Sequence, residues 1–247
     1  MYHAVADTVL ANSLLRSLPE VDAEKVGVMG ISWGGIITNT VMGIDDRFAF
    51  AIPTYGCGHL AKAGNQYERA LAENLLYQKV WDPMVRLKEA KMPTLWLSWP
   101  GDKHFPLDKQ AVCYQEMSGP FLVSLIPGLG HGHKPAWAKP DSYAFAETIV
   151  RGEGIWCREL ESSRVGEQFE MSFSVNKKVD KVTLVSTVDA GIMGEREWTE
   201  SSAKFEQREG QWKVTGSVPP KTTAWFVNLY CEGLVASSSF QTELEAP

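Results

Sequence analysis

Residues 25–37, KVGVMGISWGGII, constrain this chain more than any other stretch. An apolar run (Val26, Val28, Met29) enters Gly30-Ile31-Ser32-Trp33-Gly34-Gly35, and the apolar residues Ile36, Ile37, Val41 and Met42 follow at spacings that let one helix face a sheet. The order is strand, sharp turn, helix, with a serine at the apex. A serine held there takes a strained backbone, and the glycines two before and two after it are expected to remove Cβ atoms that would collide. The same geometry pushes Oγ out of the sheet's end and brings the Trp33 N–H towards it, as an oxyanion donor would be. A glycine-rich turn carrying a serine by accident is the plainer reading; the strand before it and the helix after it argue for a nucleophile, Ser32.

Composition narrows the setting. The 247 residues suffice for one large domain or two modest ones, and 44% hydrophobic and 22% charged residues are ordinary for a soluble globular protein. A net charge of −6 argues against a nucleic-acid or anionic-membrane surface. No apolar run approaches the roughly 20 residues that span a bilayer, and Met1-Tyr2-His3 has no basic leader region. Cys57, Cys113, Cys157 and Cys231 are widely spaced, without metal-type pairing, and are expected to be reduced and partly buried.

Periodicity orders the rest. Val5, Val9, Leu10 and Leu14 predict a helix over 2–17 that packs on a sheet, closed by Pro19. Strands are expected at 25–29, 48–53, 94–99 and 121–126. Helices are expected at 33–43, from Asn65 to about Val80, from Asp82-Pro83 to Lys91, at 107–117 and at 141–150. Strands alternating with helices mean a parallel sheet covered on both faces. After about Gly154 the pattern becomes short alternating runs separated by turn residues, which predicts a small all-β sandwich of about 90 residues. The expected division is 1–154 and 155–247.

A serine needs a base, and the base an orienting carboxylate. In a parallel sheet all three belong in loops at the strands' C-terminal ends, where the crevice lies. Asp102 follows strand 94–99 and His131 follows strand 121–126, giving the chain order Ser, acid, His. Asp108 competes for the acid and is otherwise explained as a helix N-cap. His133 competes for the base, while His131 lies between Gly130 and Gly132, which would let the backbone turn sharply. The sequence does not settle that choice. His59 and His104 read as rim residues, and no Asp, Glu or Cys cluster accompanies the histidines to make a metal site. No cofactor is expected.

The motifs Gly30-Ile31-Ser32-Trp33-Gly34-Gly35, Asp46-Arg47-Phe48, Tyr55-Gly56-Cys57-Gly58, Gly101-Asp102 and His131-Gly132-His133 together resemble the α/β-hydrolase superfamily over residues 2–152. Within it the resemblance is to dienelactone-hydrolase-like and acetyl-xylan-esterase-like bacterial serine hydrolases. It implies Ser32, Asp102 and His131 as nucleophile, acid and base, and small acyl groups as substrates. The Trp33 N–H is the oxyanion donor, and Tyr55, Trp99 and His133 are candidates for substrate binding. The resemblance also implies several strands, and a loop with a second oxyanion N–H, ahead of the elbow strand. Here one helix precedes Lys25, so the expected fold is a truncated α/β-hydrolase parallel sheet flanked by helices, followed by an all-β sandwich.

The resulting expectation is a carboxylesterase acting on a small-molecule ester, an acylated carbohydrate among the candidates, with no nucleic-acid or membrane partner. The alternatives are a peptidase of the same superfamily, or a weakly active or non-catalytic half-hydrolase that serves as a binding or scaffold protein. An elbow strand with neighbours on one side only also predicts a homo-oligomer, a two-fold dimer being the commonest closure.

Overall fold

A computed structural model of the chain describes residues 1–242. The first half alternates helix and strand as the periodicity predicts: α1 (Tyr2–Ser17), β1 (Val28–Ile31), α2 (Trp33–Met42), β2 (Ala51–Thr54), α3 (Gln66–Leu71), β3 (Thr94–Ser98), α4 (Leu107–Glu116), β4 (Phe121–Leu125), α5 (His133–Trp137) and α6 (Pro140–Val150). β1 to β4 lie side by side in chain order and are all parallel. Their side chains are almost wholly buried, as a parallel sheet with helices on its faces requires. Pro53 sits inside this sheet without an N–H to give. The β2–β3 ladder accommodates it with a gap, pairing Ala51 with Thr94 and Thr54 with Leu97 and nothing between. Among the described residues β1 has one neighbour, so the sheet edge at the elbow strand is open.

The remaining strands are β5 (Cys157–Val165), β6 (Gln168–Val175), β7 (Val179–Thr187), β8 (Thr199–Ser202), β9 (Lys204–Arg208), β10 (Gln211–Ser217), β11 (Ala224–Cys231), β12 (Leu234–Ser237) and β13 (Gln241–Thr242). They form two sheets. One is separate and antiparallel, in the order β5-β6-β10-β9. The other continues the parallel sheet past β4 in the order β12-β11-β7-β8, with β13 on β11. Between the two sheets Phe169 and Trp225 pack at 5.2 Å, beside buried Met171, Phe173 and Val214.

The join between β4 and β12 has one paired register, Val123 with Ser237, and side chains complete it. The Leu125 N–H donates to Ser237 Oγ (2.8 Å), Asn228 Nδ2 donates to the Leu125 carbonyl (2.9 Å), and Ser237 Oγ donates to Asn228 Oδ1 (2.6 Å). Two polar side chains thus do for Leu125 what another strand would. A third link comes from α6, where buried Asp141 accepts from the Val235 N–H (2.8 Å) and the Ser124 hydroxyl (3.3 Å) through one oxygen.

Several expected elements differ. The helix expected over 65–80 is only α3, succeeded by a π-helical turn at Tyr77–Trp81. Polar side chains divert the backbone there: Asn74 Oδ1 takes the Tyr77 N–H, and Gln78 Nε2 donates to the carbonyls of Leu71 and Ala72. Asp82 does cap its segment, accepting the Met84 N–H, but the segment forms two 3₁₀ turns and not a helix to Lys91. Asp22 caps a 3₁₀ turn at Ala23–Lys25, so β1 starts three residues later than expected. Asp108 is not an N-cap; it lies in the first turn of α4, paired with Lys109 at 2.9 Å. α1 packs on α2 through Val5 and Val9, while Leu10 and Leu14 remain 64% and 62% exposed. Its polar anchor is buried: Asn12 Nδ2 donates to Asp45 (2.9 Å), whose carboxylate takes a bidentate Arg47 and is held down to about 2, chiefly by that guanidinium. Among the described residues no helix is long and apolar enough to cross a membrane.

Burial raises the Asp141 carboxyl above its ordinary 3.8, against the hydrogen bonds that lower it. The folded protein then binds a proton more tightly than the unfolded chain. This site's contribution therefore favours folding least at pH above the raised value, and stability is lost as pH rises from 3.8 through it. Asp141→Asn, which keeps the accepting oxygen, is expected to flatten that slope in urea titrations. Asp141→Ala strands the Val235 N–H and is expected to cost about 1–3 kcal/mol at every pH.

Candidate active site

Ser32 stands between β1 and α2 with φ 59° and ψ −115°, a conformation that costs a non-glycine residue energy and that its surroundings enforce. Its N–H donates to the Thr54 carbonyl (3.0 Å) and its carbonyl accepts the Ile36 N–H (3.2 Å). A Cβ at Gly30 would lie 2.1 Å from the Gly34 carbonyl oxygen, so glycine is obligatory there. Gly34 differs from expectation, because a Cβ on it would meet nothing within 4 Å. What matters at 34 is the carbonyl that fills the space beside Gly30 and accepts the Thr38 hydroxyl (3.0 Å). The second steric requirement falls on Gly35, where a Cβ would lie 2.7 Å from the Thr54 carbonyl and 2.8 Å from the Gly56 nitrogen. The Trp33 N–H opens α2, where no intrahelical acceptor exists and the helix end is electropositive. The indole itself is 47% exposed.

The structure brings together three of the residues chosen from the sequence. His131 Nε2 lies 2.9 Å from Ser32 Oγ, and His131 Nδ1 lies 2.9 Å from Asp102 Oδ2. Asp102 is wholly buried, and its other oxygen accepts the N–H groups of His104 (2.9 Å) and Phe105 (3.0 Å). In the tautomer with the proton on Nδ1, His131 donates to Asp102 Oδ2 and its Nε2 accepts from the serine hydroxyl. His133 is exposed at the start of α5 and bonds to neither Ser32 nor Asp102. Of the glycines flanking His131, only Gly130 (φ 73°) uses the left-handed region; Gly132 (φ 175°) is extended backbone open to any residue.

The imidazole is bracketed. The Tyr55 ring lies 4.5 Å from it at 32°, and the Phe105 ring 5.7 Å away at 25°. His104 meets its edge at 4.8 Å, with Nδ1 2.5 Å from Gln66 Nε2. Tyr55 is fully buried, and its hydroxyl donates to the Gly130 carbonyl at 2.7 Å. It therefore braces the histidine loop, and its ring has no exposed surface. Burial pushes its phenol up to about 12, so it stays a donor. Trp99 is half-buried with its ring over Gly101. The His59 backbone N–H donates to Asp82 Oδ1 (3.1 Å), and the residue takes a left-handed conformation (φ 55°). Sequence reasoning missed the ring contacts that Phe105 and His104 make with His131. Their only signal is that they follow Asp102 in the same loop.

The four cysteines are free and buried, and burial raises the Cys57 thiol well above its ordinary value and Cys113 to about 12, so neither offers a thiolate. Among the described residues no group of three or more His, Cys, Asp or Glu side chains is disposed to hold a metal ion.

Comparison with known proteins agrees with the motifs. The sequence model of the prolyl oligopeptidase family matches residues 2–146. A search of curated proteins gave no match. Among solved structures, acetyl xylan esterase 1 from Thermoanaerobacterium sp. JW/SL YS485 is similar at 20% identity and TM-score 0.48, over 59% of this chain and 52% of that one. An acetyl xylan esterase from Paenibacillus sp. R4 is similar at 24% identity and TM-score 0.48, over 60% and 51%. The acylaminoacyl peptidase of Pyrococcus horikoshii is similar at 24% identity and TM-score 0.48, over 57% and 26%. The chain thus spans about half the length of those esterases and about a quarter of that peptidase. Because the family match takes in more than half of the 247 residues and contains Ser32, Asp102 and His131, this chain belongs to the prolyl oligopeptidase family of the α/β-hydrolase superfamily.

Proposed function

We propose that this hydrolase is a carboxylesterase that cleaves short-acyl esters through an acyl-enzyme on Ser32. The observation that carries the reading is the His131 imidazole, bonded to Ser32 Oγ and Asp102 Oδ2 at once. Oγ attacks the acyl carbon as its proton passes to Nε2, and Asp102 stabilises the imidazolium. The Trp33 N–H takes the developing oxyanion. The C–O bond then breaks, Nε2 returns the proton to the departing alcohol, and water repeats the sequence to release the acid and restore Ser32. Small acyl groups, with an acylated carbohydrate among the candidates, follow the acetyl xylan esterases to which the chain is similar. The peptidase reading follows its similarity to the acylaminoacyl peptidase. Residues 1–154 carry the chemistry in this proposal, and the strands after 155 support it.

Wild-type protein is expected to release a burst of p-nitrophenol from p-nitrophenyl acetate and to label with a fluorophosphonate at Ser32. Ser32→Ala should fold normally and lose both. Wild-type turnover in that variant would end the nucleophile assignment, and an inert wild type would favour the scaffold reading. Faster turnover of an acylated peptide anilide than of any short ester would favour the peptidase.

His131→Ala is expected to lower kcat/KM by about 10⁴-fold or more, whereas His133→Ala leaves the hydroxyl–imidazole bond intact and should cost far less. The reverse order would transfer the base to His133.

The dimer remains part of the proposal. It is supported by the open edge of β1 and by Tyr2, Leu10 and Leu14 standing exposed on α1. Pairing at that edge would set a second copy's backbone beside Ser32, where an N–H could complete the oxyanion site. Light scattering after size exclusion should give twice the chain mass; an active monomer at micromolar concentration would rule the dimer out.

A further inference from the structure

The connection between β7 and β8, residues 188–198, leaves the sandwich and reaches the acid loop of the active site. Gly194, in a short 3₁₀ turn at Met193–Glu195, is buried there. A Cβ on it would lie 2.3 Å from the Asp102 carbonyl oxygen and 2.6 Å from the Lys103 Cα, so the two backbones are in direct contact. The requirement for glycine comes from this contact, since the residue's φ is not in the left-handed region.

Both sides of the contact are stiff. On the acid side, Asp102 Oδ1 ties down the N–H groups of His104 and Phe105, and buried Asn65 donates to the carbonyls of Lys103 and His104, each at 2.9 Å. On the other side, the Glu197 N–H donates to Asp189 Oδ2 (2.7 Å), and Arg196 donates to the Gly191 carbonyl (2.8 Å) and Thr223 Oγ1 (3.0 Å). Thr223 in turn donates its N–H to the Thr187 carbonyl (2.8 Å), anchoring the connection to the end of β7. The Lys103–Glu195 ion pair, 3.9 Å and exposed, adds little. The acid loop is therefore clamped between Asn65 and Gly194.

We infer that the β7–β8 connection is a positioning element of the active site, with Gly194 setting the Asp102 carboxylate at hydrogen-bonding distance from His131. This rests on the serine-hydrolase reading above. Gly194 touches no substrate; it acts through Asp102. The strands after residue 155, which contribute no histidine to the chemistry, would then govern the turnover of the triad.

The test is Gly194→Ala in the full chain, with Gly191→Ala as the control in the same connection, where a Cβ meets nothing within 4 Å. Gly194→Ala is expected to lower kcat on p-nitrophenyl acetate by about 10²-fold with KM little changed, and to shift or broaden the low-field His131 Nδ1 proton resonance. Gly191→Ala should stay within about twofold of wild type. Asp189→Ala, which frees the Glu197 N–H without touching the contact, should give a smaller loss in kcat of the same kind and carries the test if Gly194→Ala does not fold. A folded Gly194→Ala protein with wild-type kcat and an unmoved resonance would overturn the inference. So would a loss confined to KM. The resonance needs no substrate, so it separates the two readings: an inert wild type that resists the fluorophosphonate defeats the hydrolase reading, while the resonance still reports whether Gly194 sets the Asp102–His131 bond.

Discussion

The contact on which the site depends is between two pieces of backbone, at Gly30 and Gly34. Ser32 lies between them, and its φ of 59° exists because β1 and α2 fold back on each other without an intervening side chain. Any larger residue at 30 would meet the Gly34 carbonyl at 2.1 Å and push the first turn of α2 off the strand. The Trp33 N–H and Ser32 Oγ would move with it. A strained serine persists only when its neighbours over-determine it. The Ser32 N–H bond to Thr54, the close approach of Gly35 to Gly56 and the Thr38 bond to Gly34 supply that.

The second half of the chain completes an edge that the first half leaves unpaired. β4 has β3 on one side; on the other, its last residue is satisfied by Asn228 and Ser237 side chains from the sandwich strands. The histidine loop begins directly after that residue, so the position of His131 depends on strands more than 90 residues downstream. Asp141 adds a bond from the same strands to α6, at the cost of burying a carboxyl. The hydrolase sheet and one sheet of the sandwich are thus mechanically one.

The elbow was legible because its steric demand is local: glycines at fixed offsets from a serine, flanked by two different periodicities. Asp102 and His131 were legible for a topological reason, since loops at the C-terminal ends of parallel strands converge. The difference in place between His131 and His133 was not legible, because it comes from contacts distant in the chain: His131 meets Ser32 99 residues away, and its loop is tied to a hydroxyl 75 residues away, Tyr55 to Gly130. Tyr55 is a substrate-binding candidate only alongside the family resemblance, and its burial is visible only in the fold. The run after Asn65 misled because Asn74 and Gln78 divert the backbone with their side chains, which periodicity does not register. Leu10 and Leu14 show the complementary limit, since their spacing predicts the helix but not which of its faces is covered. Asn228 and Ser237 carry no signal at all as isolated polar residues in strands.

On the proposed reading, the surroundings of His131 fit the demands on a base that must change charge. The Asp102 carboxyl is buried, and three nitrogens surround it: two backbone N–H donors and His131 Nδ1. On that reading, when Nε2 accepts the serine proton a full positive charge forms beside that carboxylate, with the Tyr55 and Phe105 rings 4.5 and 5.7 Å away. Carboxylate attraction and ring quadrupoles both act on the cation and far less on the neutral ring. Interactions of that kind lower the barrier because they are stronger in the transition state than in the ground state. The bonds to Asp102 and Ser32 already orient the imidazole, so on this reading the gain requires no reorganisation when the proton moves. On the proposed reading, burial of Tyr55 beside the imidazole is what makes it useful to the chemistry.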